Sequence, residues 1–218
     1  MSEDPAVRII LLDSAITKPK SRDQTSKMSS PNPGQLSAGS LPPITRYITG
    51  HDASGRAIVQ SSNPAEWSSF EHNTMAFTVA YTTSSFPVDL DNDTDVKEHE
   101  RIVASGKLGL VNPGGTVCRV VDFAPKSPPL MHRTQSLDYG IVLEGEIEMQ
   151  LDSEEKRLLK KGDIAVQRGT MHAWHNPSET QWTRMVFVLQ ECKPLVVAGR
   201  ELGEDLSQAK TDDIKPSR

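Results

Sequence analysis

Two stretches decide the fold: PPLMHRTQSLDYGIVLEGE at 128–146 and GDIAVQRGTMHAWHN at 162–176. Each sets a histidine, His132 or His172, at the end of a short strand-like run beside turn residues. The segment between the two histidines has room for about three strands. In a small barrel that is enough chain to return beside its own start, and the interior of such a barrel holds one small ligand or a metal. Outward from this pair, strand-like runs follow quickly: 116–123, 139–143, 146–151, 157–159, 163–167, 182–190 and 194–197. Turn residues separate them at intervals of about ten residues, the rhythm of an antiparallel sandwich or barrel. Upstream, 45–49 and 56–60 flank the turn-rich Gly50-His51-Asp52-Ala53-Ser54-Gly55 as a hairpin, and 75–82 is β-branched and aromatic. Residues 93–105 read as a short helix that Gly106 ends. The expected fold is all-β, with one or two short peripheral helices.

Composition agrees with a single barrel carrying extensions. All 11 aromatic residues of the 218 lie between Tyr47 and Phe187. Residues 14–43 hold seven Ser, five Pro and two Gly, too little apolar surface to offset the entropy of ordering. The expected organisation is a flexible leader over 1–43, a barrel over 44–198 and a charged tail over 199–218. Within the leader, VRIILL at 7–12 is an isolated strand candidate, suited to joining a sheet edge of its own barrel or of a second copy. A homodimer is expected on that basis. The net charge of −5 and the lack of any dense basic run exclude support for a nucleic-acid partner. No apolar run approaches the ~20 residues that span a bilayer, and no secretory signal is recognisable. Cys118 and Cys192 lack the paired spacing of a zinc or redox motif and read as small hydrophobes in a reducing, cytoplasmic compartment.

The two stretches resemble the paired motifs of the cupin superfamily. With Gly145 as the closing glycine of the first motif, the acid falls on Asp138, the first histidine on His132 and the second-histidine position on Thr134. The second motif, ending His-x-x-x-Asn, falls on His172 and Asn176. The resemblance is strongest over 116–190 and closest to single-barrel cupins with His-Arg-Thr…Asp-Tyr and Gln-Arg-Gly…His-Ala-Trp signatures. It implies a jelly-roll barrel and a divalent metal (Zn, Fe, Mn or Ni) held by His132, Asp138 and His172. A second reading stays open beside it. In that reading the barrel carries no metal, and His132, Thr134 and Asp138 form a buried network able to act as an acid/base pair.

Around that centre, Thr134, Gln167 and Trp174 are expected to line a pocket, with Arg168, Arg119 and Tyr139 as catalytic or anchoring groups for a small, anionic organic substrate. For Arg119 the more common answer in such a strand is an outward, solvated position. His175 is expected at the surface, as are His51, His72 and His99. The resemblance fits an enzyme of natural-product or aromatic metabolism, a metal-assisted lyase or isomerase such as a decarboxylase, dehydratase or cyclase. An Fe(II) dioxygenase and a non-catalytic ligand-binding cupin are the alternatives.

Overall fold

The computed structural model describes residues 41–70, 73–209 and 214–217. The strand candidate at 7–12, most of the linker and His72 lie outside the described residues. In chain order the elements are β1 (Thr45–His51), β2 (Ala57–Pro64), β3 (Ser68–Phe70), β4 (Met75–Thr83) and α1 (Thr94–Ser105). Then follow β5 (Thr116–Phe123), β6 (Ser136–Glu144), β7 (Glu146–Leu151), β8 (Lys156–Lys160), β9 (Ile164–Arg168) and β10 (His172–His175). β11 (Thr183–Glu191), β12 (Leu195–Val197) and β13 (Arg200–Leu202) complete them.

All pairings are antiparallel. A six-stranded sheet runs β3-β4-β5-β11-β6-β9, and a three-stranded sheet runs β10-β7-β8. Their apolar side chains meet in one core, where Ile147 and Met185 are fully enclosed beside Val142, Phe123, Trp174 and Phe187. Burying each such side chain contributes about 1.5–3 kcal/mol. This is a jelly-roll β fold. Gly145 makes the turn from β6 to β7 at φ 76, where a Cβ would stand 2.7 Å from Thr183 Oγ1 and 2.9 Å from the Trp182 carbonyl. Only glycine fits there.

The helix begins one residue later than the sequence suggests and ends at Gly106, whose φ of 62 is the left-handed cap. Three short strands escape the pattern reading: β3, β10 and β13, of three, four and three residues. The residues after 198 contribute more than a charged tail. β13 pairs with β12, and Asp205 exchanges two backbone hydrogen bonds with Arg133, at 2.9 and 2.8 Å. Ser217 Oγ accepts from the Val111 N–H at 3.0 Å and donates to Glu204 at 2.6 Å. Both cysteines are half-buried free thiols. Among the described residues no helix is long and apolar enough to cross a membrane.

Candidate functional site

The barrel holds a cavity of about 820 Å³. Strand alternation decides what reaches it, because successive side chains on a strand face opposite ways. On β5, Arg119 points inward with Val121 and Phe123; on β6, Asp138 points inward. His132 and His172 stand on neighbouring chain segments joined by two backbone hydrogen bonds of 2.9 Å, and their rings lie 4.5 Å apart. Trp174 meets His172 edge-on at 5.7 Å and Phe187 at 5.5 Å, closing one side of the cavity. The walls are otherwise apolar, with Phe77 and Leu189 among them.

The hydrogen bonds fix the protonation of this centre. His132 Nδ1 lies 2.9 Å from the Leu130 carbonyl, and His172 Nδ1 lies 2.9 Å from the Thr170 carbonyl. A carbonyl only accepts, so each ring carries its proton on Nδ1 and leaves Nε2 with a lone pair. Burial keeps both rings neutral: it lowers the pKa of His132 and, with His132 alongside, takes His172 down to about 3.

Asp138 is 4% exposed, and burial raises its carboxyl to about 6 despite hydrogen bonds from Ser136 and Thr134 and the charge of Arg119. Thr134 Oγ1 donates to Asp138 Oδ2 at 3.3 Å and accepts from Ser136 Oγ at 2.7 Å. Asp138 Oδ1 is buried without a partner. Arg119 has the matching deficit. Its Nη2 donates to the Gly109 and Leu110 carbonyls at 2.8 and 3.1 Å, while its Nε is buried and unpaired. Burial lowers its pKa to about 10, so it remains a cation at neutral pH.

Several expectations change here. Arg119 faces the cavity rather than solvent. Arg168 and Tyr139 do not: each sits one residue beyond an inward side chain, so alternation turns Arg168 outward and leaves Tyr139 42% exposed. Gln167 is buried but engaged, accepting from Thr170 Oγ1 and contacting Met149 Sδ at 2.9 Å through Nε2. Thr134 lies beneath Asp138, and neither Thr134 nor Gln167 belongs to the cavity wall. His175 is half-buried, its Nδ1 donating to the Ser127 carbonyl at 2.7 Å. Asn176 closes the second motif for a structural reason: its amide donates to the Phe123 and Gln181 carbonyls at 3.1 and 2.8 Å, tying β5 to the approach to β11. His51 is exposed as expected, but His99 is 3% exposed and belongs to the cavity wall together with Arg46. Val96, Ile102 and Val103 stand three or four residues from His99 in the helix, a spacing that puts the histidine on their apolar face, and this was the signal for its inward position.

The expected metal ligands share the cavity without closing into a site. Among the described residues no three His, Cys, Asp or Glu side chains cluster closely enough to hold one ion. His132 and His172 form a pair, but Asp138 is one methylene shorter than the glutamate of the motif, and its Oδ2 is turned to Thr134. The donor set therefore does not fit the three-ligand centre that the motif implies.

Fold and cavity together define an antiparallel barrel with an interior cavity of small-molecule size. The family model described as Cupin domain matches residues 119–189. Phomopsin biosynthesis cluster protein D of Diaporthe leptostromiformis is 46% identical over 173 residues, which cover 79% of this chain and 90% of that protein. Oryzines biosynthesis cluster protein J of Aspergillus oryzae is 40% identical, covering 81% of this chain and 99% of its own length. Cupin-domain-containing oxidoreductase srdB of Neurospora crassa is 38% identical over 74% of this chain and 80% of its own. The chain belongs to the cupin superfamily, a family that commonly binds a divalent metal.

Proposed function

We propose that this cupin is an enzyme of natural-product biosynthesis that moves a proton on a small carbonyl compound, as an isomerase, cyclase or lyase, with Asp138 as the base. One observation carries the reading. The same cavity holds an unpaired buried donor, Arg119 Nε, and an unpaired buried acceptor, Asp138 Oδ1. Leaving two such groups unsatisfied costs about 1–3 kcal/mol each, more for charged ones, so a ligand that pairs with both recovers that cost. A substrate carbonyl oxygen accepts from Arg119, and an acidic C–H beside that carbonyl faces Asp138.

The chemistry follows from these two groups. Asp138 Oδ1 takes the proton, and the C–H electron pair forms the C=C bond of an enolate whose oxygen carries the negative charge against Arg119. A cation already fixed in a buried position stabilises that charge without reorganising. Return of the proton at another carbon completes an isomerisation. Expulsion of a β-hydroxyl, protonated by the same carboxyl as it leaves as water, completes a dehydration. A pKa near 6 suits this task, because the carboxyl is ionised at neutral pH yet basic enough to accept a proton. The lone pairs on His132 and His172 Nε2 supply further acceptors for a substrate hydroxyl. Names such as those of the phomopsin and oryzine cluster relatives support the pathway class.

The test uses the metabolite that accumulates when the gene is deleted. Purified protein treated with a chelator is expected to convert it to a product of equal mass or lighter by water. Asp138→Asn is expected to lose about 10²–10⁴-fold in rate. No conversion by wild type would leave a binding protein. The name of the Neurospora relative favours a second reading, oxidation. A product lighter by two hydrogens or heavier by oxygen would support it and overturn the first.

A further inference from the structure

Beyond the reacting centre, we infer that Arg46 is an anchor for a carboxylate on the substrate's far end, so that the natural ligand is an apolar-bodied organic acid. The inference rests on the reading of the cavity as a substrate site. Arg46, on β1, is half-buried in the cavity wall, away from the enclosed centre. Its Nη1 donates to the Ala80 carbonyl at 3.2 Å and lies 2.9 Å from His99 Nε2.

His99 Nδ1 faces the Thr82 N–H at 3.1 Å and Thr82 Oγ1 at 3.0 Å, so donors stand at both ring nitrogens and the histidine offers Arg46 no charge to pair with. Burial and the Arg46 charge both lower the pKa of His99 and favour its neutral form. Its ring stacks on Tyr81 at 4.5 Å, and Tyr81 donates to Asp95 at 2.5 Å. The guanidinium thus donates to a carbonyl and lies against a neutral histidine, and it forms no ion pair with a carboxylate among the described residues.

Three other charged side chains share the wall: Glu66, Glu100 and Lys215. All three are exposed, so water and salt screen them, and Lys215 is turned to the Gly106 carbonyl. Arg46 is the half-buried cation of this region, with Nε and Nη2 still able to meet a carboxylate in a bidentate pair. Between Arg46 and the Arg119–Asp138 pair the wall is apolar, with Phe77, Val121 and Leu110 on it. The volume suits a drug-sized molecule. One carbonyl at Arg119, an apolar body and one carboxylate at Arg46 match the two cations and the apolar wall between them.

Octanoate and octanol share a body and differ in the head group, which makes them suitable probes. Binding is read from Trp174 fluorescence in the full-length protein. Wild type is expected to bind octanoate about ten-fold more tightly than octanol, Arg46→Gln to bind the two alike, and Arg46→Lys to keep part of the preference. In wild-type protein octanoate, and not octanol, is expected to shift the Arg46 Nε–H resonance, a readout that needs no variant to fold. Equal affinity for the two probes, an unmoved resonance, or a preference lost in Arg119→Gln but kept in Arg46→Gln would overturn the inference and leave the role of Asp138 standing. Binding of neither probe would overturn the cavity reading beneath it as well.

Discussion

Arg119 and Arg184 are both buried, at 7% and 5% exposure, on the adjacent strands β5 and β11, and they lead opposite lives. Arg184 lies on the outer face of the sheet, directly across from Asp122. Two charge-assisted hydrogen bonds join them, at 2.6 and 2.7 Å, a third reaches the Pro42 carbonyl at 2.7 Å, and the Trp67 ring covers the guanidinium at 5.0 Å. Arg119 lies on the inner face, opposite Phe187, with two backbone carbonyls, a ring at 5.6 Å and no carboxylate hydrogen bond. Burial alone does not mark a functional residue. An arginine whose donors are matched by its own chain holds the sheet together, and one left short of partners in a cavity is set out for a ligand.

The largest test of this contrast is a pair of substitutions. Asp122→Ala strands a buried cation and is expected to lower the unfolding free energy by about 3–5 kcal/mol in denaturant titration. Arg119→Met removes a cation that the fold does not satisfy, so stability is expected to stay within about 1 kcal/mol while ligand binding is lost. Equal damage from both would erase the distinction.

A second test sharpens the inner face through pH. Burial raises the folded pKa of Asp138 from 3.8 to about 6, so the folded state holds this proton more tightly than the unfolded chain. Stability from this group is therefore full below about pH 4 and lost as pH rises through about 6. The loss amounts to about 3 kcal/mol at neutral pH. His132 and His172, with lowered values, slope the other way, so the comparison is with Asp138→Asn. That variant is expected to match wild type near pH 4 and to exceed it by up to about 3 kcal/mol at pH 7. A constant difference across that range would deny the raised pKa. The smallest effect belongs to Thr134→Val, which removes one hydrogen bond to Asp138. It is expected to cost about 1 kcal/mol and to push the Asp138 titration, followed by carboxyl NMR, further upward.

Much of the barrel was legible in sequence because its signals are local. Alternation and turn residues placed β5 and β7 to the residue, and a glycine placed the end of α1. The motif pair brought out His132, Asp138, His172 and Trp174, and all four share the cavity. What stayed hidden depends on side-chain direction and on distant partners. The same alternation, applied to Asp138 and Gln167, turns Tyr139 and Arg168 outward, and nothing local says that β1 and α1 would bring Arg46 to His99. Arg184 and Asp122 are 62 residues apart in sequence, so their pairing had no signature either. The expected metal ligands His132, Asp138 and His172 line one cavity, but among the described residues they do not gather into a three-donor group.

The most direct test of the central claim is the pH dependence of kcat/KM for the accumulated metabolite, measured on chelator-treated enzyme. If Asp138 is the base, activity is expected to fall ten-fold per pH unit below about 6, and the limb is absent from the residual activity of Asp138→Asn. Activity that vanishes with the chelator and returns with a divalent metal, or an acid limb that persists in Asp138→Asn, would contradict the account.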